Sequence, residues 1–348
     1  MKKLSMFVFR PAVLLCLLMP GVSAAGDFPE IGKVHQFDDG LESLLDSGAR
    51  IEKLTQDVFG WSEGPVWIPG HNMLLFSDVP GNTMWKWSEA SGLEEFLSPS
   101  AMDNGLAPNP SGQGTNGLML SLQGSLLAAD HGSRSLVEID LSSNKQTALA
   151  TEYEGKRFNS PNDLAISRKR WPGTVFFTDP PYGLKGQEES PLQELDFNGI
   201  YRLDTDGSVT LLDDAMARPN GIALSPDETV LYVANSQPHN TVWNVYDLAG
   251  DGSISDGPRQ FASAQALVDR GRKGNPDGIA VDVEGNLWAT GPGGVLIFDP
   301  SGKLLGLIET GTAIANCAFG GKNGSTLYMT SHQFIARIET NTRGVEFE

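Results

Sequence analysis

Six acidic or amide residues recur along the chain, and each stands at the start of an apolar stretch that could form a strand. They are Glu63, Asn116, Asn162, Asn220, Asp277 and Asn316. A polar turn and a second apolar run follow each of them, as in NPDGIAVDVEGNLWAT at residues 275–290. Carboxylate and amide oxygens are the hard ligands that calcium prefers. If the six residues converge, the sequence predicts a site for one divalent cation, and calcium is the expected ion.

The elements that would bring these residues together are predicted by the repeat itself. Its six copies are spaced 39 to 58 residues apart, and each contains short strands and turns. This pattern is typical of a β-propeller. We therefore predict an all-β fold, a six-bladed β-propeller with four-stranded blades around a central metal-binding channel. The first strand of each blade lines the channel, so the six residues form a ring at one mouth. We call that side the near face, and the side of turns such as VEGN the far face.

The end of the chain predicts how the propeller closes. The copy that begins at Asn316 leaves room for only about three strands before residue 348. An open blade would expose an unpaired edge. We expect residues 50–57 to supply the missing outer strand. The propeller domain is then 50–348, preceded by an N-terminal segment, 25–49, with a short helix near residues 41–45.

Residues 1–24 have the features of a cleavable signal peptide. Lys2, Lys3 and Arg10 precede or flank a short apolar run, and small residues lead to a cleavage position after Ala24. The apolar run is shorter than a membrane-spanning helix requires. The expected location is therefore periplasmic or secreted, with no membrane attachment after cleavage. The alternative is an uncleaved anchor.

The composition excludes several classes of function. A formal charge of −18 disfavours nucleic acid and anionic membranes as partners. Cleavage after Ala24 would leave Cys317 as the only cysteine, in a strand where we expect a buried structural thiol. No cluster of Cys and His has zinc-ligand spacing, and no GxSxG, GxGxxG or P-loop motif occurs. The sequence makes no prediction of the oligomeric state.

Further candidate residues fall on the near face. His131 directly follows the strand LLAAD, so it should lie at the mouth of the ring, where it could bind substrate or transfer a proton. Two long loops, residues 98–115 and 180–198, are predicted on the same face. Loops of this length in a compact domain are commonly functional.

Several motifs together resemble the gluconolactonase / senescence marker protein / luciferin-regenerating family over about residues 50–340. They are EGPVW, SPNDLAIS, FTDPPYGL, RPNGIALSPDE and NPDGIAVDVEGNLW. The resemblance implies a metal held by Glu63, Asn162, Asn220 and Asp277. It also implies that Asn116 and His131 lie on the substrate side, and it points to Asp179 and Tyr182 of FTDPPYGL as further substrate-binding residues.

The reaction that the resemblance implies is hydrolysis of a sugar lactone, with Asp277 as general base and His131 as the second choice. The chain departs from the animal members in lacking an Arg before the second blade, which leaves the substrate open. Two alternatives remain. One is a related calcium-dependent esterase or phosphotriesterase, and the other is a non-catalytic propeller that binds a ligand.

Overall fold

The computed structural model describes residues 28–105, 109 and 111–348, so the predicted signal peptide lies outside the described residues. Within them the strands form six antiparallel sheets and one small hairpin, Glu152–Tyr153 with Lys156–Arg157. The innermost strands of the six sheets contact one another in a closed ring. The predicted six-bladed β-propeller is confirmed.

Each blade runs outward from the channel, strand by strand. Blade 1 contains Ser62–Ile68, Met73–Asp78, Thr83–Ser88 and Gly92–Leu97. Blade 2 contains Thr115–Leu120, Leu126–Asp130, Ser135–Ile139 and Gln146–Ala150. Blade 3 contains Leu164–Ile166, Val175–Asp179, Gly199–Leu203 and Val209–Asp213. Blade 4 contains Pro219–Leu224, Val230–Asn235, Val242–Leu248 and Ile254–Ser263.

The last two blades are each completed by the N-terminal part of the chain. Blade 5 contains Ile279–Val281, Leu287–Gly291, Gly294–Phe298 and Leu304–Glu309, and blade 6 contains Asn316–Gly320, Thr326–Ser331 and Phe334–Glu339. Ile51–Lys53 pairs with Phe334–Glu339 as the fourth strand of blade 6, as predicted. Two strands were not predicted: Lys33–Gln36 adds a fifth strand to blade 5, and Glu30–Ile31 adds a fifth to blade 6.

Helical structure is confined to short turns. The described residues contain one α-helix, Gln265–Val268, and the 3-10 turns Asp39–Ser43, Pro69–His71, Gln187–Glu189 and Val345–Phe347. The first of these 3-10 turns lies close to the helix that we predicted near residues 41–45, and it places Leu41 in the core between blades 5 and 6. Among the described residues no helix has the length and apolar composition needed to span a membrane.

The core consists of apolar side chains packed between neighbouring blades. Trp67, Phe76 and Trp87 of blade 1, for example, pack with Tyr328 and Ile335 of blade 6. Because the seam joins the first blade to the last, this packing stabilises closure of the ring. Cys317 is buried between blades 5 and 6, and its Sγ lies 3.3 Å from the carbonyl oxygen of Trp288. The expected buried thiol is confirmed.

Close approach of the innermost strands explains the glycine that follows most ring residues. A Cβ on Gly64 would lie 2.0 Å from the carbonyl oxygen of Asn116, and one on Gly221 would lie 2.1 Å from that of Asp277. Contacts this short are not tolerated, so the neighbouring blades could not pack. Packing of neighbouring blades therefore requires glycine directly after Glu63 and Asn220. The same close contact sets the position of these ring residues at the start of their strands.

Candidate active site

The ring residues meet at the near mouth of the channel. Glu63, Asn116 and Asn220 lie in the first strands of blades 1, 2 and 4, where each strand shifts register against its neighbour. Such irregularities turn side chains away from the regular alternation of a strand. Asn162 and Asp277 each stand two residues before the first strand of their blades. Tertiary structure thus brings together residues that are far apart in sequence.

Hydrogen bonds connect the three asparagines around the ring. Asn116 Nδ2 donates to Asn162 Oδ1 at 2.9 Å, and Asn162 Nδ2 donates to Asn220 Oδ1 at 2.6 Å. Asn220 Nδ2 donates in turn to Ser236 Oγ at 2.9 Å. Rotation of an amide by half a turn exchanges its oxygen and nitrogen, so each asparagine can present an oxygen to a ligand.

A cavity of about 360 Å³ opens at this mouth. Five of the six ring residues line it: Glu63, Asn116, Asn162, Asn220 and Asp277. The sixth, Asn316, lies deeper, where its Nδ2 is 3.4 Å from Asp163 Oδ2. All four predicted metal ligands therefore line the same cavity, and Asn316 and Asp163 line the deeper channel.

The two carboxylates of the ring, Glu63 buried and Asp277 half-buried, repel one another. Glu63 is buried, and its oxygens accept hydrogen bonds from Trp61 Nε1 at 3.3 Å and from the Gly64 amide at 3.1 Å. Burial raises the pKa of Glu63, and burial together with the charges of Glu63 and Asp163 raises the pKa of Asp277. No Lys or Arg of the described residues forms an ion pair with either carboxylate. A divalent cation at this mouth would balance both carboxylates.

The donor set fits a hard divalent cation. Among the described residues no group of three or more His, Cys, Asp or Glu side chains is placed to hold a metal by itself. The ring instead combines two carboxylates with the amides of Asn162 and Asn220, and all of these can supply oxygen ligands. Calcium binds such mixed sets of carboxylate and amide oxygens. Soft-metal and zinc sites would need Cys or His, which this ring lacks.

His131 lies beside the asparagines, buried at the end of the second strand of blade 2. Its Nε2 is 3.3 Å from Asn162 Oδ1 and 3.4 Å from Asn116 Nδ2, and its Nδ1 is 3.1 Å from Gln113 Oε1. Burial lowers the pKa of His131 to about 4, so the imidazole is neutral near pH 7. Nδ1 faces Gln113 Oε1 and Nε2 faces Asn162 Oδ1, so the orientation of these two amides selects which ring nitrogen carries the proton. The other nitrogen keeps a lone pair.

The two residues predicted from FTDPPYGL have different positions. Tyr182 lines the cavity, and burial raises its pKa to about 12. Asp179 does not line it: the carboxylate is fully buried and accepts hydrogen bonds from the amides of Asn159 and Ser160, both at 2.7 Å. We therefore correct the prediction that Asp179 binds substrate. It orders the segment before Asn162, because buried carboxylates need such donors.

The two long loops lie on the near face and meet there. Asn109 Nδ2, from the first loop, donates to the carbonyl oxygen of His131 at 2.8 Å and to that of Gly183, in the second loop, at 2.7 Å. The first loop thus contacts both the backbone beside the cavity and the second loop. The placement of loops 98–115 and 180–198 on the near face is confirmed for their described residues.

Sequence reasoning missed several residues at the site. Asp163 lies in the channel below the ring, where burial and the charge of Glu63 raise its pKa to about 8. One sequence feature could have identified Asp163: it is an Asp at a position that is Gly in four other copies of the repeat. Arg218, Ser236 and Gln113 line the cavity from loops and strand ends. Nothing in their spacing marked them.

Fold and site together define a six-bladed propeller with a near-face cavity that is lined by carboxylates, amides and a neutral histidine. The family model described as SMP-30/Gluconolactonase/LRE-like region matches residues 61–333, and the chain belongs to this family. A gluconolactonase of Zymomonas mobilis is 42% identical over 321 residues, which cover 90% of this chain and 88% of that protein.

Solved structures show the same architecture. A gluconolactonase of Xanthomonas campestris is 32% identical, with a TM-score of 0.76 over 93% of this chain and 100% of that chain. A calcium-binding regucalcin of Agrobacterium tumefaciens is 20% identical, with a TM-score of 0.66 over 84% of this chain and 94% of that chain. The second likeness concerns the fold.

Proposed function

We propose that this protein is a lactonase that opens a sugar lactone by hydrolysis, with one divalent cation, calcium, held by Glu63, Asn162, Asn220 and Asp277. The observation that carries the proposal is the near-face cavity, which these four residues line together with Asn116, His131 and Tyr182. Its volume of about 360 Å³ can hold a small ligand. The 42% identical gluconolactonase supports the same substrate class.

The cation, when bound, would polarise a carbonyl group and stabilise negative charge that develops on its oxygen. Asp277 is the general base in this proposal, because it is partly exposed to the cavity and its carboxylate forms few hydrogen bonds with the protein. It accepts a proton as water adds to the carbonyl carbon. The bond from that carbon to the ring oxygen then breaks, and the ring oxygen leaves as a hydroxyl after protonation.

The other polar groups orient the substrate. His131 is neutral, and Asn116 lies within hydrogen-bond distance of it, so the two offer a lone pair and amide groups to substrate hydroxyls. Tyr182 offers a hydroxyl group from another side of the cavity. Fixing a polyol through several hydrogen bonds holds its carbonyl in one place and reduces the entropic part of the barrier.

An esterase acting on less polar substrates is the second candidate. Part of the cavity wall is apolar, formed by Trp61, Val79, Pro80, Ala313 and Ile314. Such a surface would suit an alkyl or aryl group. The polar residues Gln113, Asn116, His131, Tyr182 and Arg218 line the same cavity, and they favour a polyol.

One experiment separates these functions from a non-catalytic ligand-binding propeller. Thermal unfolding is followed during a calcium titration, and the calcium-loaded protein is then assayed on gluconolactone and on phenyl acetate against the uncatalysed rates. We expect calcium to raise the melting temperature and gluconolactone to be the better substrate. Faster hydrolysis of phenyl acetate would favour the esterase. Binding without hydrolysis of either substrate would identify a binding propeller.

We also propose that the protein is exported, because residues 1–24 have the composition of a cleavable signal peptide. The mature chain should begin near Ala25. N-terminal sequencing of protein from the periplasm or medium tests this, and a chain that still begins at Met1 contradicts it.

A further inference from the structure

Arg218 is the one Lys or Arg among the described residues that line the near-face cavity. It stands two residues before the ring residue Asn220, in the connection between blades 3 and 4. Its amide donates to Asn235 Oδ1 at 3.3 Å, and its carbonyl oxygen accepts from the Ser236 amide at 2.9 Å. The backbone is therefore fixed where the side chain reaches the rim.

The charge of Arg218 is already paired. Its Nε and Nη2 lie 2.7 and 2.6 Å from the same oxygen of Glu188, and Nη2 is 3.2 Å from Gln187 Oε1. Both partners belong to the 3-10 turn Gln187–Glu189 in the loop 180–198. The guanidinium carbon also lies 5.7 Å from the ring centroid of Tyr182, in the same loop. This loop thus both positions Arg218 and neutralises it.

Part of the guanidinium remains available. An arginine has five N–H donors, and the pair with Glu188 and Gln187 occupies those on Nε and Nη2. The two donors on Nη1 have no hydrogen-bond partner among the described residues, and the side chain is 25% exposed. The rim therefore offers donors to a ligand oxygen without offering net positive charge.

The rest of the cavity gives no compensation to an anionic ligand. Glu63 and Asp277 would be balanced by one divalent cation, and Asp163 lies just below them. Because Glu188 already pairs with Arg218, no unpaired positive charge is left among the described residues of the cavity. A carboxylate or phosphate on the ligand would therefore find no counter-charge there. A neutral polyol meets no such penalty, since its hydroxyl oxygens can accept hydrogen bonds from Nη1 and bring no charge into the cavity.

We propose that Arg218 is a specificity-determining residue, and that Glu188 is a positioning residue that keeps its charge neutralised, so that the site selects neutral polyhydroxy lactones over lactones bearing an anionic group. This inference rests on the proposed lactonase function and names the substrate class of that same site. The site would discriminate because the Arg218 charge is paired with Glu188 and cannot attract the anionic lactone.

The test compares two substrates in calcium-loaded enzyme: gluconolactone, which is neutral, and the monolactone of glucaric acid, which carries a free carboxylate. Glu188→Gln frees the Arg218 charge. It should lower KM for the anionic lactone about three- to fivefold, a typical effect of one partly exposed charge pair, and change KM for gluconolactone less than twofold. Glu188→Asp, which keeps the charge, should behave like the wild type.

Glu189→Gln is the matched control, because Glu189 is the next residue, is exposed and has no ion pair among the described residues. It removes the same charge from the same loop and should leave both KM values unchanged. In Arg218→Gln, KM for gluconolactone should rise about threefold, since one hydrogen bond to the substrate is lost. Adding Glu188→Gln to that variant should no longer improve the anionic substrate.

The outcomes distinguish this inference from the function on which it rests. If the wild type opens gluconolactone but Glu188→Gln and Glu189→Gln change KM for the anionic lactone equally, the role of the Arg218 pair is wrong and the lactonase function stands. The same holds if Glu188→Gln still improves the anionic substrate without Arg218. If the wild type opens neither lactone, the proposed function falls, and this inference with it.

Discussion

The two mouths of the channel differ, although the same repeat builds both. The near mouth is a cavity of about 360 Å³ lined by charged and amide groups. Towards the far face the free volume is about 90 Å³, and its lining is mainly apolar residues of the six inner strands. The C-terminal segment covers it: Val345 and Glu346 line this end, and the Gly344 amide donates to the Gly324 carbonyl oxygen at 3.1 Å. Of these two ends, the near-face cavity is therefore the wider approach to the ring for a substrate.

Two aspartates of blade 5 show the same contrast at the level of single side chains. Asp282, in the far-face turn, is fully buried and accepts four hydrogen bonds, from the amides of Glu284 and Asn286 and the side chains of Asn286 and Trp288. For Asp277, at the near mouth, the side chain of Asn220 is the one hydrogen-bonding group among the described residues that lowers the pKa of the carboxylate. A carboxylate whose acceptors are filled by protein stabilises a fold, while one left short of donors is available to a ligand.

The largest expected effect is on catalysis at the near mouth. Asp277→Asn keeps the shape of the side chain but removes the base, so kcat for gluconolactone should fall about 100- to 10,000-fold, with substrate affinity mostly retained. Stopped-flow or pH-indicator assays measure this. Calcium content must first be shown to match the wild type, because the substitution also removes a ligand charge. A metal-loaded variant with full kcat would mean that Asp277 is not the base.

The next effect concerns the cation. At calcium concentrations about 100 times the Kd, binding should add about 2.7 kcal/mol to the free energy of unfolding of the wild type. Glu63→Gln removes one of two formal charges from the site and should lose most of this gain. Denaturant unfolding with calcium and with a chelator measures it, and Glu189→Gln, on the surface, is the charge-matched control. An unchanged calcium gain in Glu63→Gln would place the cation elsewhere.

A substitution at the far mouth should change the stability of the protein and not its activity. Asp282→Asn puts an amide nitrogen opposite donors that now meet a carboxylate, so the free energy of unfolding should fall by about 2 kcal/mol. The kcat per folded molecule should stay at the wild-type value. Chemical denaturation and active-site-normalised rates test the pair of expectations. Loss of kcat in a folded Asp282→Asn protein would break the distinction between the two mouths.

The smallest effect is expected for His131→Ala. Loss of one neutral hydrogen bond to the substrate costs about 1 kcal/mol, so KM should rise less than tenfold while kcat changes little. Steady-state kinetics separate the two constants. If kcat instead falls about a thousandfold while metal-loaded Asp277→Asn stays active, the roles are reversed and His131 is the general base.

Sequence alone determined the architecture and the ring. The number of blades and the convergence of Glu63, Asn162, Asn220 and Asp277 follow from a repeat in which each copy starts with an acidic or amide residue. Closure by Ile51–Lys53 follows from the short last copy. A repeat carries this information because equivalent positions on equivalent strands must meet at the common axis. The two extra N-terminal strands were missed because Glu30–Ile31 and Lys33–Gln36 are short, polar edge strands with no apolar pattern.

Only the tertiary structure decided which residues outside the repeat reach the cavity. Asp179 and Tyr182 stand three positions apart in one motif, yet Asp179 turns inward to the amides of Asn159 and Ser160 while Tyr182 lines the cavity. Arg218 and its partner Glu188 come from different connections and meet at 2.6 Å. Loop backbones obey no fixed periodicity, so the direction of their side chains depends on contacts between distant parts of the chain.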